Sequence, residues 1–97
     1  MTMRKHQYRV TVEYLADADG RPVDVAPLQF VAPNHDDIFA LVARMQERSK
    51  LGGDDAARFV VGLKLMSEAM LENSDDPLFV ALKPHFGEFM KTLKQSR

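Results

Sequence analysis

The sequence has no cysteine and no tryptophan, and it lacks several other features that mark common functional classes. Without cysteine the chain forms no disulfide and has no thiolate nucleophile or cysteine-based zinc site. No apolar run approaches the ~18 residues of a membrane span, and the polar N-terminus lacks the apolar stretch of a secretory signal. There is also no glycine-rich phosphate loop and no serine in a nucleophile-elbow context. We therefore expect a cytoplasmic protein with no catalytic centre, no cofactor and no membrane partner.

The size and composition that remain are those of an ordinary folded domain. The chain has 97 residues, of which 45% are hydrophobic and 28% charged. This length suits a single core of modest size. We predict one domain over residues 1–97.

The formal net charge of −1 hides an asymmetry along the chain. Residues 1–9 carry +3 and residues 83–97 carry +3, the latter including Arg97, so the intervening segment carries −7. If the two ends meet in space, they form a basic patch on an acidic body. The members of this patch are Arg4, Lys5, Arg9, Lys91 and Lys94. The alternative is that these lysines and arginines only solvate the chain ends and complement a helix C-terminus.

Two strands are predicted at the N-terminal end. Residues 6–15 alternate with a period of two, which is typical of a half-buried strand. The side chains expected on its buried face are Tyr8, Val10, Val12 and Tyr14. Residues 16–22 form a turn in which Gly20 is free to take a positive φ.

The second strand is predicted over roughly residues 23–32. Leu28 and Phe30 are its candidates for the buried face. Pro27 favours an edge position or a break, because proline cannot donate a hydrogen bond to a neighbouring strand.

Helical signals follow the two strands. Asn34 is a candidate N-cap, with Asp37 in the position of a capping-box acid, for a helix that runs to about Lys50. We expect Gly52-Gly53 to end it. We expect Asp54 or Asp55 to cap a second helix, which continues to about Asn73.

The third helical region carries the strongest pattern in the sequence. Its apolar residues lie within an arc of roughly 120° on a helical wheel. They are Leu78, Phe79, Leu82, Phe86, Phe89, Met90 and Leu93. The segment before Pro77 supplies cap residues, with proline at a first-turn position.

Because Pro84 removes a backbone donor, we expect a short helix over 77–83 and a longer one over 84–95.

The second helix has apolar residues on two sides. Ala56, Phe59, Val60, Leu63, Met66, Met70 and Leu71 make a broad apolar face. Two further apolar residues, Val61 and Leu65, lie on the other side of the helix, near Arg58, Glu68 and Glu72. Gly62 and Ala69 form a strip of small residues. A glycine in a helix interior costs about 1 kcal/mol against alanine, so Gly62 needs a packing reason. Either the helix is sandwiched within one chain, or Val61, Gly62 and Leu65 face a second subunit.

One cluster contains metal-ligand types of residue, namely His35-Asp36-Asp37. Adjacent residues at a helix start diverge by about 100° each, which makes convergence on one ion difficult. A metal or small-molecule site near His35 is therefore a minor alternative. A second alternative is nucleic-acid or anionic-ligand binding through the basic residues at the two ends.

Five short segments resemble a family of short bacterial proteins known as a domain of unknown function. They are residues 6–9, 34–39, 59–65, 76–79 and 86–91. The resemblance spans nearly the whole chain and implies a single domain in a bacterial, cytosolic setting. It implies no activity, substrate or catalytic residue.

Taken together, the patterns predict an α+β fold of two layers, with an antiparallel hairpin followed by three to four helices. For function they predict a small non-catalytic binding protein that pairs with its own copy or with another protein.

Overall fold

The computed structural model describes residues 4–95, which form two strands followed by three helices. The elements are β1 (His6–Val12), β2 (Leu28–Asn34), α1 (Ile38–Arg48), α2 (Gly53–Glu72) and α3 (Pro77–Gln95). This order confirms the α+β class and the ββααα sequence of elements. By its internal contacts the chain divides into two units, one ending at His35 and the other beginning at Asp36.

The first unit is the antiparallel hairpin of β1 and β2. Tyr8 pairs with Ala32 and Val10 with Phe30. Both strands differ from their predicted ranges, because β1 ends at Val12 and β2 begins at Leu28. Proline at position 27 explains the late start of β2, since it has no backbone N–H to donate.

The residues between the strands form a long connection instead of continuing the ladder. The Asp17 carboxylate accepts hydrogen bonds from the backbone N–H groups of Asp19 and Arg21, both at 2.9 Å. Gly20 has a φ of +82°, as its place in the turn predicted. These local bonds hold the backbone in a turn. The residues that flank the turn pair with each other through an isolated antiparallel bridge between Ala16 and Pro22.

Burial on the hairpin is lower than the alternation predicted. Tyr8 and Val10 are half-buried, but Val12 and Tyr14 are exposed, and Tyr14 lies outside the strand. Leu28 and Phe30, expected to point inward, are also exposed. Alternation identifies which side chains share a face, but it does not say whether another layer covers that face.

The second unit begins with α1, whose cap differs from the prediction. Asp37 is the N-cap residue, and its Oδ1 accepts a hydrogen bond from the backbone N–H of Ala40 at 3.1 Å. Asn34 is wrong as the cap because it pairs with His6 at the end of β2, which keeps its backbone extended. The helix ends at Arg48, two residues before the predicted end.

The glycine pair has a different role from the predicted one. Gly52 is the N-cap residue of α2, and its carbonyl accepts a hydrogen bond from Ala56 at 2.8 Å. Gly53 is the first residue of that helix. Asp54 and Asp55 are therefore not caps, and they lie in the first turn, where carboxylates complement the helix dipole. Glycine is an accepted N-cap residue as well as a helix terminator.

The third helix is continuous from Pro77 to Gln95, so the predicted division at Pro84 is wrong. At its start, Asp76 Oδ1 accepts a hydrogen bond from the Leu78 N–H at 2.9 Å, as expected of a cap before a first-turn proline. Pro84 has no N–H to donate to the carbonyl of Val80, so the helix lacks this one hydrogen bond. The helix continues on both sides of Pro84, and its apolar stripe stays on one face.

Full burial within the helical unit is restricted to a few apolar side chains. Among the described residues the buried hydrophobic ones are Ile38, Ala56 and Val60. Glu68 is also buried, at 6% exposure, which is unusual for a carboxylate side chain. Helix α1 packs against α2. Within residues 4–95, no helix is both long and apolar enough to cross a lipid bilayer.

Replacing the proline inside α3 should stabilise the protein. We expect Pro84→Ala to raise the free energy of unfolding by about 1–3 kcal/mol, because alanine restores a backbone donor and removes the ring clash. Urea denaturation monitored by circular dichroism measures the change. Pro77→Ala is the matched control and should have little effect, because a first-turn proline lacks no helical hydrogen bond. A lower stability for Pro84→Ala would show that the packing of α3 depends on the proline.

Candidate functional site

An apolar groove runs between α2 and α3, and we call it the α2–α3 groove. Helix α2 contributes Phe59, Gly62, Leu63 and Met66. Helix α3 contributes Leu82, His85, Phe86 and Phe89. The groove is open to solvent and encloses about 430 Å³. Because the other lining residues are apolar or glycine, with His85 the one titratable residue, the groove is suited to apolar contacts.

Aromatic side chains link the two walls of this groove. The rings of Phe59 and Phe89 meet edge to face with centroids 6.1 Å apart, and Phe86 lies 6.4 Å from Phe89. Such pairs contribute about 0.5–1.5 kcal/mol beyond the area they bury. Phe89 nevertheless remains 41% exposed and Met66 39% exposed. The aromatic cluster thus brings α3 into contact with α2 and leaves apolar surface exposed to solvent.

The three predicted interface residues lie on α2 but differ in their surroundings. Gly62 is exposed and lines the α2–α3 groove. A Cβ atom built on Gly62 would meet no atom within 4 Å among the described residues. Val61 and Leu65 are half-buried and are not part of the groove lining. The packing reason that Gly62 requires in a helix interior is therefore not found inside the described protomer.

A second concave surface lies among all three helices, and we call it the basic-rimmed cavity. Its volume is about 150 Å³. The apolar walls come from α1 (Leu41, Met45), α2 (Phe59, Val60, Leu63) and α3 (Met90, Leu93). Four cationic side chains also line it, and they are Arg44, Arg48, Lys64 and Lys94. Asp36 is its single carboxylate.

An ion pair lies in the lining of the basic-rimmed cavity. Lys64 Nζ is 2.6 Å from Asp36 Oδ2, with side-chain exposures of 21% and 50% respectively. The lysine comes from the middle of α2 and the aspartate from the residue before the cap of α1. The pair therefore ties the start of α1 to α2, and it leaves the cavity lining with a positive excess.

The basic-rimmed cavity is not visible in the sequence, because its lining comes from three separate helices. A partial signal was present in α1, where Arg44 and Arg48 are four residues apart and adjoin Leu41 and Met45. Residues at this spacing lie on neighbouring turns of one helix face.

The carboxylates of the His35 cluster have structural roles. Asp37 caps α1, and Asp36 pairs with Lys64. His35 is exposed. Over the described range 4–95, no group of three or more His, Asp or Glu side chains is arranged to hold a metal ion.

The predicted basic residues have different degrees of exposure. Arg4, Arg9, Lys91 and Lys94 are exposed, and Lys5 is half-buried. Lys94 is the one member of this group that lines the basic-rimmed cavity. Arg97 lies outside the described residues. Nucleic-acid binding through these side chains stays a prediction.

The comparisons with known proteins define the class of this chain. A hairpin followed by three helices makes it a small α+β protein. The model of DUF3861, described as a domain of unknown function with a solved structure, matches residues 6–95, and the chain belongs to this family. The match confirms the family resemblance seen in the sequence.

A solved structure supports the same assignment. A protein of unknown function from Pectobacterium atrosepticum superimposes with a TM-score of 0.80 and 32% sequence identity. The match covers 95% of this chain and 99% of the Pectobacterium chain. Comparison with curated proteins gives no match. Neither the family nor the structural neighbour assigns an activity.

The ion pair between Lys64 and Asp36 should contribute modestly to stability. We expect a double-mutant cycle with Lys64→Gln and Asp36→Asn to give a coupling free energy of about 0.5–1 kcal/mol, because both groups retain contact with water. Urea denaturation of the four proteins measures it, and raising the salt concentration should reduce it. A parallel cycle with Arg58→Gln and Asp55→Asn, an exposed pair at 3.1 Å on α2, should give a smaller coupling. Equal couplings in the two cycles would contradict the idea that partial burial strengthens the first pair.

Proposed function

We propose that this protein is a non-catalytic interaction protein that works as a homodimer, with the α2–α3 groove as the interface. The main observation is the state of α3. This helix of 19 residues has a continuous apolar stripe, yet none of its residues is buried. Of the residues in the stripe, Leu78 is 70% exposed and Phe89, which also lines the groove, is 41% exposed. A helix with so much open apolar surface is stabilised by a partner that covers it.

The chemistry of the groove restricts the kind of partner. Seven of its eight lining residues are apolar or glycine, and His85 is the exception. A charged side chain entering the groove would lose water without gaining an ionic partner. The centres of stable interfaces are apolar and rich in aromatic residues, as this groove is. The proposal therefore requires an apolar partner surface.

A second copy of this chain supplies such a surface. Each protomer presents a depression at Gly62 beside the partly exposed side chains of Phe89 and Met66. In a two-fold arrangement the same patch lies on both sides of the interface, so a projecting side chain of one copy can occupy the depression of the other. Because one patch contains both the exposed side chains and the depression at Gly62, it is complementary to a second copy of itself. This favours self-association over binding of an unrelated chain.

The sequence-predicted residues take separate parts in this proposal. Gly62 is central, because its open Cβ position allows close approach of a partner. Val61 and Leu65 lie on α2 outside the groove lining and retain partial exposure. A second protein as partner, a bacterial origin and a cytoplasmic location stay predictions. The bacterial source of the structural neighbour supports a bacterial origin for this chain.

The proposal is tested by filling the depression. We expect Gly62→Gln to convert a dimer into a folded monomer, because the new side chain enters open space in the protomer but obstructs the partner. Helical stability of the monomer should rise by about 0.5–1 kcal/mol. Size-exclusion chromatography with light scattering gives the mass, at roughly 50 μM protein, where a stable dimer is fully formed.

The matched control is Gly87→Gln in α3. This glycine also has no atom within 4 Å of a Cβ position among the described residues, but it does not line the groove. It should gain the same helical stability and remain a dimer. A monomeric wild-type protein at this concentration would overturn the proposal, as would a dimer that Gly62→Gln leaves intact.

A further inference from the structure

We propose that the basic-rimmed cavity binds a small amphipathic carboxylate, that is, a molecule with a compact apolar body and one anionic head. The cavity differs chemically from the α2–α3 groove, because the groove lining contains no lysine or arginine. The inference does not depend on the proposed dimer.

The walls of the cavity suit the apolar part of such a ligand. Side chains from all three helices converge there, including Leu41, Leu63 and Leu93, one from each helix. Val60, which is buried, lies in the lining as well. An apolar body placed among these side chains would leave water without displacing any buried polar group.

The charges in the lining suit the head group. Arg44, Arg48 and Lys94 are exposed cations, and Lys64 is paired with Asp36. Four cations against one carboxylate leave an excess of positive charge. Arg44 and Arg48 lie on successive turns of α1, so their guanidinium groups can approach the same carboxylate. Arginine binds carboxylates through two parallel hydrogen bonds, which makes an anion the complementary head group.

The volume limits the size of the ligand. The cavity measures about 150 Å³. An engineered cavity of this volume in another protein binds benzene, so the apolar body here is one ring or a chain of roughly six to eight carbon atoms. A free medium-chain carboxylate fits both this volume and the charge of the lining.

Isothermal titration calorimetry of the full chain with matched probes tests the proposal. Octanoate should bind saturably with one site per chain. Octanol, which has the same chain and no charge, should bind at least about tenfold more weakly, and acetate should not bind, since it has the charge without the body. No saturation with octanoate up to roughly 10 mM would overturn the proposal, and so would equal affinity for octanol.

Charge variants test whether the named arginines hold the head group. The double variant Arg44→Gln/Arg48→Gln should lose about tenfold or more in octanoate affinity while its octanol binding stays unchanged. Lys83→Gln/Lys91→Gln removes the same charge from exposed positions of α3 outside the cavity and should leave octanoate affinity within twofold of the wild type. Equal losses in the two double variants would assign binding to net charge alone and overturn the site.

Nuclear magnetic resonance locates the bound probe. Octanoate should shift the amide signals of Met45 and Leu93, which line the cavity and not the groove. Shifts concentrated at Met66 and Leu82, which line the groove and not the cavity, would overturn the assignment of the site. Circular dichroism of each variant confirms that affinity is compared between folded proteins.

Discussion

The limited burial of apolar side chains is the constraint on which the structure of the helical unit depends. Among its described residues the buried hydrophobic ones are Ile38, Ala56 and Val60, of which one is an alanine. Burying a large aliphatic side chain contributes about 1.5–3 kcal/mol, so this set contributes little compared with the entropy of ordering three helices. Contacts between partly exposed side chains, notably the aromatic cluster of Phe59, Phe86 and Phe89, add to the cohesion of the unit. Because so few apolar side chains are buried, the α2–α3 groove beside this cluster stays open to solvent.

Periodicity predicted the class and order of the elements, because it depends on local geometry that each segment carries in itself. The boundaries depended on competition between neighbouring segments. Asn34 and Asp37 both have side chains that cap helices, and the pairing of Asn34 with His6 across the hairpin decided between them. Likewise Gly52 could end one helix or begin the next. Pro84 is a third case. The cost of placing a proline inside a helix is outweighed there, because the apolar residues on both sides of it share one helix face.

The candidate sites were less accessible to sequence reasoning than the fold. Gly62 was identified because a glycine within an apolar helix departs from propensity at a single position. The basic-rimmed cavity combines Arg44, Lys64 and Lys94 from three helices, and their proximity follows from packing that no single segment encodes. Glu68 illustrates the same limit, since its charge suggested solvent and its position in the fold buried it. Charge and hydropathy describe a side chain, whereas its neighbours are set by tertiary structure.

Helix α2 serves as a shared wall in this arrangement. Phe59 and Leu63 line both the α2–α3 groove and the basic-rimmed cavity. A change in size or rotamer at either position alters the two volumes together, because each side chain forms part of both linings. Substitutions that adjust one surface alone are thus restricted to residues such as Met66 on the groove side and Met45 on the cavity side. Divergence between members of this family at Phe59 and Leu63 would require compensating changes on α1 and α3 at once.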